Sequence, residues 1–469
     1  MKKIVIIGGG AAGLSAAVSA GESGAKVTVL EKRKYLCGNG RYAEGVFAAG
    51  SRLQKRENID ADPEALFREA MEYSHWRADA RLVRALIGGS AETVDWLTDM
   101  GVPFTRILHH MPNQAPAVFH MAYPAPTGLQ VMKVLEKRCA ELGIETVTEA
   151  DVKSLSMENG AVTGVVAAIS DEERVFHADS VLIATGGFGG NPELMRKMLP
   201  SCRPEAYAHL KGIPMAGDGY MLAKAAGAQT PHDIAIEGCG PVYHGRGELT
   251  ALIRRSDCLW VNALGRRFCD EGICADFVYG QNAVARQPGQ MCWAILDEAA
   301  VRRAMEGLPG MMAAPESADN GMGALREALE KETEKGGVFC ADSIEALAAA
   351  AGIDPAALTA EVKAYNAACA AGHDGLFAKD RRALVPVSEA PFYAVRAGLD
   401  IITTHGGIAV DERLRVLTPD FTAIPGLYAA GIDISGVDSC DYSVNLSGHA
   451  FGFALTGGRL AGQEMAKRP

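Results

Sequence analysis

Two lysines and a run of four apolar residues, Ile4-Val5-Ile6-Ile7, open the chain, and glycines follow at once. A short unbroken apolar run predicts a strand buried on both faces in a parallel sheet. After the glycine turn at residues 8–13, the Ala-rich stretch Leu14–Ala20 predicts a helix, and "AKVTVLE" predicts a second strand ending at Glu31. A secretory signal opens similarly but needs an apolar core of ~7–15 residues before its cleavage site. Here glycines end the run after Ile7. Residues 143–191 alternate through several short predicted strands with a turn at Asn159-Gly160. They end on a buried strand, Val181–Ala184, that meets a second glycine turn, "ATGGFGG". Far downstream, "IPGLYAAGIDISG" repeats the strand–glycine unit and carries Asp433, and "YSVNLSGHAFGFALTGGRLAG" predicts a closing helix. Between these lies "DSIEALAAAAGIDPAALTAEVKAYNAACAAG", with Asp342 or Ser343 to cap one helix and Pro355 to open the next. "EGLPGMMAAPESADNGMG" predicts a loop.

Gly8, Gly10 and Gly13 have G-x-G-x-x-G spacing between a strand and a helix. Such a unit binds a dinucleotide for stated reasons. The first glycine makes the tight turn, the second lets backbone approach the pyrophosphate, and the third lets helix and strand pack closely. The helix N-terminus adds amide donors and a partial positive charge. Glu31, at the end of the second strand, is placed to accept from ribose hydroxyls. This turn alone leaves NAD and FAD open.

Composition narrows the classes. At 469 residues the chain suits two domains. A net charge of −11 leaves no basic surplus for nucleic acid, and no apolar stretch approaches the ~20 residues of a membrane span. Eleven cysteines without a CxxC pair predict reduced thiols and a cytoplasmic setting. His109, His110 and His120, with Met111 and Met121, match no zinc spacing.

The later motifs decide between the two nucleotides. Flavoproteins of the two-dinucleotide-binding type carry a fingerprint, a meander, an ATG strand and a C-terminal strand with glycine and acid. The ordered motifs "GGGAAGLSAA", "LEK", "GNGRYAEG", "ATGGFGGNPE", "AGDGYMLAKAAGA", "LWVNALGRRFCDE" and "THGGIAVDE", with Gly426–Gly436, run over nearly the whole chain. This chain resembles the soluble fumarate reductase and succinate dehydrogenase flavoprotein family, to which urocanate reductases and 3-ketosteroid dehydrogenases are related. The resemblance implies an α/β, Rossmann-like FAD domain (1–233 and 402–469) interrupted by an α+β capping domain (234–401). It also implies a substrate held between cap and flavin.

By that resemblance Gly8, Gly10, Ala12 and Gly13 hold the pyrophosphate, and Glu31, with Lys32 beside it, takes the adenosine ribose. Asn39 and Gly40 face the pyrophosphate and ring, and Val152 meets adenine through its backbone. Ala184, Thr185, Gly186 and Asp218 line the site. Gly431 and Asp433 approach the ribityl chain, although the family's acid aligns on Ile432. Ser447, Ala450 and Phe451 follow the isoalloxazine. Asn39 stands where membrane-bound relatives attach FAD through a His, so the FAD is expected to be noncovalent.

Family members reduce fumarate with an arginine proton donor, a second arginine and two histidines. The matching positions here are Ala275, Asn445, Gly240 and Ile402 or Thr403. A dianion would find little compensation there. The candidates that remain are Tyr442, which resembles the carbonyl-polarising Tyr of ketosteroid dehydrogenases, His405, Asn445 and Tyr279, with His449 at the helix start. The expected function is hydride transfer between flavin and an activated C=C or CH–CH unit of a neutral or monoanionic carbonyl-conjugated substrate: an enone, a steroid or an aryl-acrylate. Electrons would come from a partner protein or a reduced nicotinamide. A dicarboxylate reductase with a clamp rebuilt from Arg254, Arg255 or Arg396 is the enzymatic alternative. A flavin-binding redox sensor is the alternative of another class.

Overall fold

The strand Lys3–Ile7 lies at the centre of a six-stranded sheet, and Ile4 to Ile7 are buried. In the computed structural model, which describes residues 1–109, 116–170, 172–209, 212–244, 246–306 and 321–467 (backbone alone at 321–323), the chain forms two units. The first comprises Met1–Pro200, Lys211–Glu237 and Ile402–Pro469, and the second Ser201–Leu210 and Gly238–Ile401. The expected boundary at 233/234 therefore falls at 237/238. Strand Ala235–Glu237 pairs antiparallel with Thr403–His405, and this pairing keeps it in the first unit. The expected loop at 306–323 and the residues His110 and Met111 lie almost wholly outside the described residues.

In the first unit the sheet order is Arg415–Leu417, Ala423–Ala429, Ser180–Ile183, Lys3–Ile7, Lys26–Leu30, Glu145–Val147. All pairs are parallel except the edge strand Arg415–Leu417. Val181, Leu182 and Ile183 are fully buried beside Ile4–Ile7, and each such side chain contributes about 1.5–3 kcal/mol of burial. The meander Ala150–Glu158, Ala161–Ile169 and Glu172–His177 forms a separate three-stranded antiparallel sheet.

Helix Ala11–Glu22 begins directly after the glycine turn, and the C-terminal helix His449–Ala466 lies against it. Small residues permit a close approach. A Cβ on Gly458 would stand 2.1 Å from the Ala12 carbonyl oxygen, and one on Gly462 2.5 Å from that of Ala16. Ser15 and Ser19 donate to the Leu455 and Arg459 carbonyls at 2.6 and 3.0 Å.

The second unit has a four-stranded antiparallel sheet in the order Leu259–Val261, Cys292–Asp297, Phe392–Ala397, Val338–Ala341. Ser343 caps helix Ile344–Ala351, and Pro355 opens Pro355–Ala371 behind the Asp354 cap. A buried ionic group lies in this unit. Glu271 accepts from Arg267 Nε and Nη2 at 2.9 Å and from Lys379 Nζ at 3.0 Å, while Arg267 Nη1 donates to Asp374 at 2.7 Å. Among the described residues, no helix is long and apolar enough to cross a membrane.

Candidate functional site

The glycine turn is built by contacts a side chain would destroy. Gly8 has φ +106°, and a Cβ there would stand 2.2 Å from the Ala184 carbonyl oxygen. A Cβ on Gly13 would stand 1.9 Å from the Gly8 carbonyl oxygen. Gly10 differs, because a Cβ there meets no protein atom within 4 Å. Packing of the chain on itself does not demand glycine at position 10; close approach of a ligand does. The helix that follows has no side-chain cap and no acid in its first turn, which leaves its amides for an anion.

Several other expected cofactor residues gather around this turn. Glu31 accepts from Gly9 N at 2.8 Å and from Arg33 N at 2.9 Å, which turns its buried carboxylate toward the glycines. A Cβ on Gly40 would meet the Phe451 ring at 3.1 Å and Ala11 at 3.3 Å, and one on Gly431 would meet Ala12 at 3.1 Å. Asn39 is held through both amide atoms by Ile213, donating to its O at 3.1 Å and accepting from its N at 2.5 Å. Val152 lies on the meander strand that begins at Ala150, whose N donates to Glu31 O at 2.9 Å. Lys32 and Asp218 pair with each other at 3.1 Å, and Lys32 also pairs with Asp151 at 3.3 Å. Ser447 is buried, its Oγ donating to the Val444 O at 3.2 Å, and the C-terminal helix starts one residue past Gly448 without a side-chain cap.

Asp433 holds the second glycine turn. Its carboxylate accepts from Thr185 N (2.6 Å), Gly186 N (2.8 Å), Gly187 N (3.0 Å) and Thr185 Oγ1 (3.0 Å). Those four bonds fix the second glycine turn, so Asp433 reaches a ligand through the turn it holds. Asp433→Asn aims an NH2 at one of these donors and should cost about 1–3 kcal/mol of stability. Thermal melting of the first unit checks this, and a melting temperature equal to wild type would refute it.

The second gathering is a buried chain of titratable groups. His405 Nε2 lies 3.0 Å from Glu237 Oε2, and its Nδ1 lies 2.8 Å from Asp438 Oδ2. His449 Nε2 lies 3.0 Å from Asp438 Oδ1, and its Nδ1 lies 3.1 Å from the Leu446 carbonyl. Ser443 N also donates to Asp438 Oδ1 at 2.7 Å. The Tyr442 ring lies over His449, centroids 4.5 Å apart, and edge-on to His405 at 5.1 Å. Burial opposes charge on His405, but its bonds to Asp438 and Glu237 outweigh this and push it up to about 9. Asp438 is likewise penalised by burial, yet the two imidazoles hold it well below the usual carboxylate range. His405, Asp438 and His449 offer donor atoms within 4.8 Å of one another, a spacing a metal ion also uses. Direct hydrogen bonds already account for that spacing.

With both ring nitrogens taken by carboxylates, His405 has no N–H left to offer a substrate directly. Asn445 donates to Glu69 at 3.4 Å, and its buried Oδ1 has no partner. Tyr279 belongs to the second unit, on helix Phe277–Ala285, and is 51% exposed, so it is not part of this chain of groups. His120 is buried against Ser51 and the Val118 carbonyl, and burial lowers it to about 4. It acts as a neutral structural residue. Arg255 is held by Asp257 at 2.9 and 3.1 Å, and Arg396 is exposed. Arg254 donates to the Pro241 carbonyl through Nε and keeps a buried Nη2 without a partner. Sequence reading missed Asp438 and Glu237, because no spacing links positions 237, 405, 438 and 449.

Comparison with known proteins matches the FAD binding domain family over residues 3–441. The chain belongs to this family. The flavoprotein is 31% identical over 493 residues to the vinyl phenol reductase of Lactiplantibacillus plantarum, covering 99% of this chain and 96% of the relative. It is 30% identical to a fumarate reductase (cytochrome) of Shewanella frigidimarina, covering 99% and 77%. Among solved structures it is similar to the 3-ketosteroid-Δ4-(5α)-dehydrogenase of Rhodococcus jostii in complex with 4-androstene-3,17-dione, with TM-score 0.75, 26% identity and coverage of 100% and 97%. It is an FAD-dependent oxidoreductase acting on C=C/CH–CH bonds. Open space at Gly10 and the uncapped helix N-terminus fit the cofactor's pyrophosphate.

Proposed function

We propose that this flavoprotein reduces the C=C bond of a neutral or singly charged conjugated substrate, such as an enone, an aryl-acrylate or a hydroxystyrene. One observation carries the reading. The cation in the buried chain of groups, His405, is already bracketed by two carboxylates, Glu237 and Asp438, and Glu69 lies beside Asn445. A cation already matched by carboxylates leaves no free positive charge there to clamp a dianion. The similarity to a vinyl phenol reductase over nearly its whole length supports the same class.

Bound flavin supplies the hydride; the side chains bind, polarise and supply the proton. In this reading Tyr442 binds the activating oxygen, and the buried Asn445 Oδ1 accepts from a hydroxyl of the substrate. The cofactor is held without a covalent bond, since Asn39 offers a carboxamide.

The experiment is anaerobic. The dithionite-reduced holoprotein is mixed with 4-vinylphenol, p-coumarate, cyclohexenone, a 3-ketosteroid enone and fumarate, and flavin absorbance is followed. At least one neutral or monoanionic alkene should restore the oxidised spectrum more than tenfold faster than fumarate. Fumarate as the fastest acceptor would refute the reading. No response to any alkene, with flavin retained, would favour a redox sensor.

A further inference from the structure

The outer hydrogen bonds of the buried chain of groups fix which ring nitrogens carry protons. His449 Nδ1 lies 3.1 Å from the Leu446 carbonyl, which only accepts, so that nitrogen is an N–H. His405 Nε2 likewise donates to the Glu237 carboxylate at 3.0 Å. In a neutral imidazole the other nitrogen is then a lone pair. Those two nitrogens, His405 Nδ1 and His449 Nε2, both face Asp438 Oδ2, at 2.8 and 3.2 Å. Lone pairs facing a buried carboxylate oxygen repel, so positive charge must stand between them. Two added protons supply it, and those make the direct hydrogen bonds described above. One divalent cation supplies the same charge, because its two positive charges again balance Glu237 and Asp438.

We propose that His405 Nδ1, Asp438 Oδ2 and His449 Nε2 form a binding site for a divalent transition-metal cation of the zinc class. The three side chains offer donor atoms within 4.8 Å of one another. Two imidazole nitrogens and a carboxylate oxygen are a donor set that zinc takes, with bonds of about 2.0–2.2 Å. Tetrahedral bonds of that length set neighbouring donors roughly 3.4 Å apart, so each nitrogen needs to draw back from Asp438 by only about 0.2–0.6 Å.

Two further observations point the same way. Each donor residue is anchored from its outer side: His405 by Glu237, His449 by the Leu446 carbonyl, and Asp438 by Ser443 N, which donates to its other oxygen at 2.7 Å. Metal-ligating histidines almost always give their second N–H to a carboxylate or carbonyl, and ligating carboxylates are hydrogen-bonded in turn. His405 and His449 also line a cavity of about 10 Å³ whose other side chains, Leu86, Val437 and Phe453 among them, are apolar. That volume is close to the ~10–15 Å³ one water needs. A water there finds no polar side chain besides the imidazoles, and an ion bound by them gives it a place as fourth ligand. The ligands come from strand Thr403–His405, the irregular stretch around Asp438 and the start of the last helix, so the ion ties three parts of the first unit together. The site is independent of which alkene the flavoprotein reduces.

The test uses the FAD-loaded protein, stripped of metals by dialysis against dipicolinate at pH 8, given ZnCl2 and passed over a desalting column. Wild type should retain about one zinc per chain by elemental analysis, and its melting temperature should rise with added zinc. X-ray absorption at the zinc edge should show nitrogen and oxygen ligands at about 2.0–2.1 Å and no sulfur at about 2.3 Å. Asp438→Asn and His449→Gln should lose the zinc and keep the flavin. Glu237→Gln, which alters only an outer bond, should weaken zinc binding by about 10- to 100-fold. Replacing the exposed thiols, Cys340→Ser with Cys440→Ser, should leave zinc binding as in wild type. Wild type that leaves the column with flavin but without zinc overturns the proposal. A sulfur shell, or zinc retention unchanged in Asp438→Asn, overturns it as well. If Asp438→Asn and His449→Gln shed their flavin, the wild-type absorption spectrum and the Glu237→Gln affinity decide.

Discussion

Glu271→Ala should unfold the second unit well below the temperature at which the first unit melts. Glu271 is 0% exposed and accepts from both Arg267 and Lys379, which are themselves buried. Removing the shared carboxylate leaves Lys379 with only the Cys258 carbonyl and the Tyr365 hydroxyl, and leaves Arg267 with Asp374. Breaking a buried pair from one side costs about 3–5 kcal/mol, because a charge is stranded away from water. In a unit of this size that is a fall on the order of 10 °C, visible by calorimetry as an early separate transition. The same group sets an acid limit. Burial raises Asp374, but its bonds to Arg267 and to backbone amides outweigh this and bring it down to about 2. A carboxylate depressed in the folded state stabilises above its ordinary range near 4, and that stability is lost as pH falls toward 2. The calorimetric transition should weaken over that interval in wild type and in the variant alike, since the variant keeps the Asp374–Arg267 pair. A Glu271→Ala protein that melts within 2 °C of wild type would refute the account.

Gly13→Val should yield a protein that folds but emerges from purification nearly colourless. The nearest atom to a Cβ at Gly13 is the Gly8 carbonyl oxygen at 1.9 Å, which is backbone and has no rotamer to escape into. The glycine turn must open to admit the new side chain, and overpacking of this kind costs about 1–3 kcal/mol. That strain falls on the turn that holds the pyrophosphate, so flavin retention should weaken by about 10- to 100-fold. The ratio of flavin to protein absorbance, together with fluorescence titration of added FAD, measures it. Gly10→Ala makes a useful contrast, because its Cβ meets no protein atom. It should melt like wild type and still bind flavin less tightly. Wild-type flavin content in Gly13→Val would show that the turn is not what grips the cofactor.

The nucleotide side of the site was legible in the sequence because its signals are local. An apolar run ending in glycines, an Ala-rich helix and an acid closing the second strand all lie within the first 31 residues, and each follows from one backbone requirement. Val181–Ile183 and Leu427–Ala429 were readable for the same reason, since a strand buried on both faces has a continuous apolar pattern. The proton-bearing groups are different. Glu237 and His405 meet through antiparallel pairing of two short strands 168 positions apart, and His449 joins through a helix start. Asp438 sits in irregular chain with no periodicity to mark it. The hold of Asp433 on the second glycine turn was not legible, because a carboxylate after a glycine strand looks the same in sequence whether it serves a ligand or a neighbouring turn. Only its four bonds distinguish the two.

The interlock of helix Ala11–Glu22 with the C-terminal helix has a consequence for biogenesis. The nucleotide-gripping end of the molecule is translated first, but its supporting partner, seated through Gly458 and Gly462, is translated last. FAD therefore has no complete seat on a nascent chain still on the ribosome. Cofactor loading should therefore follow synthesis of the Gly458–Gly462 helix, and flavin starvation should accumulate apoprotein that contains this helix rather than stalled or truncated chains.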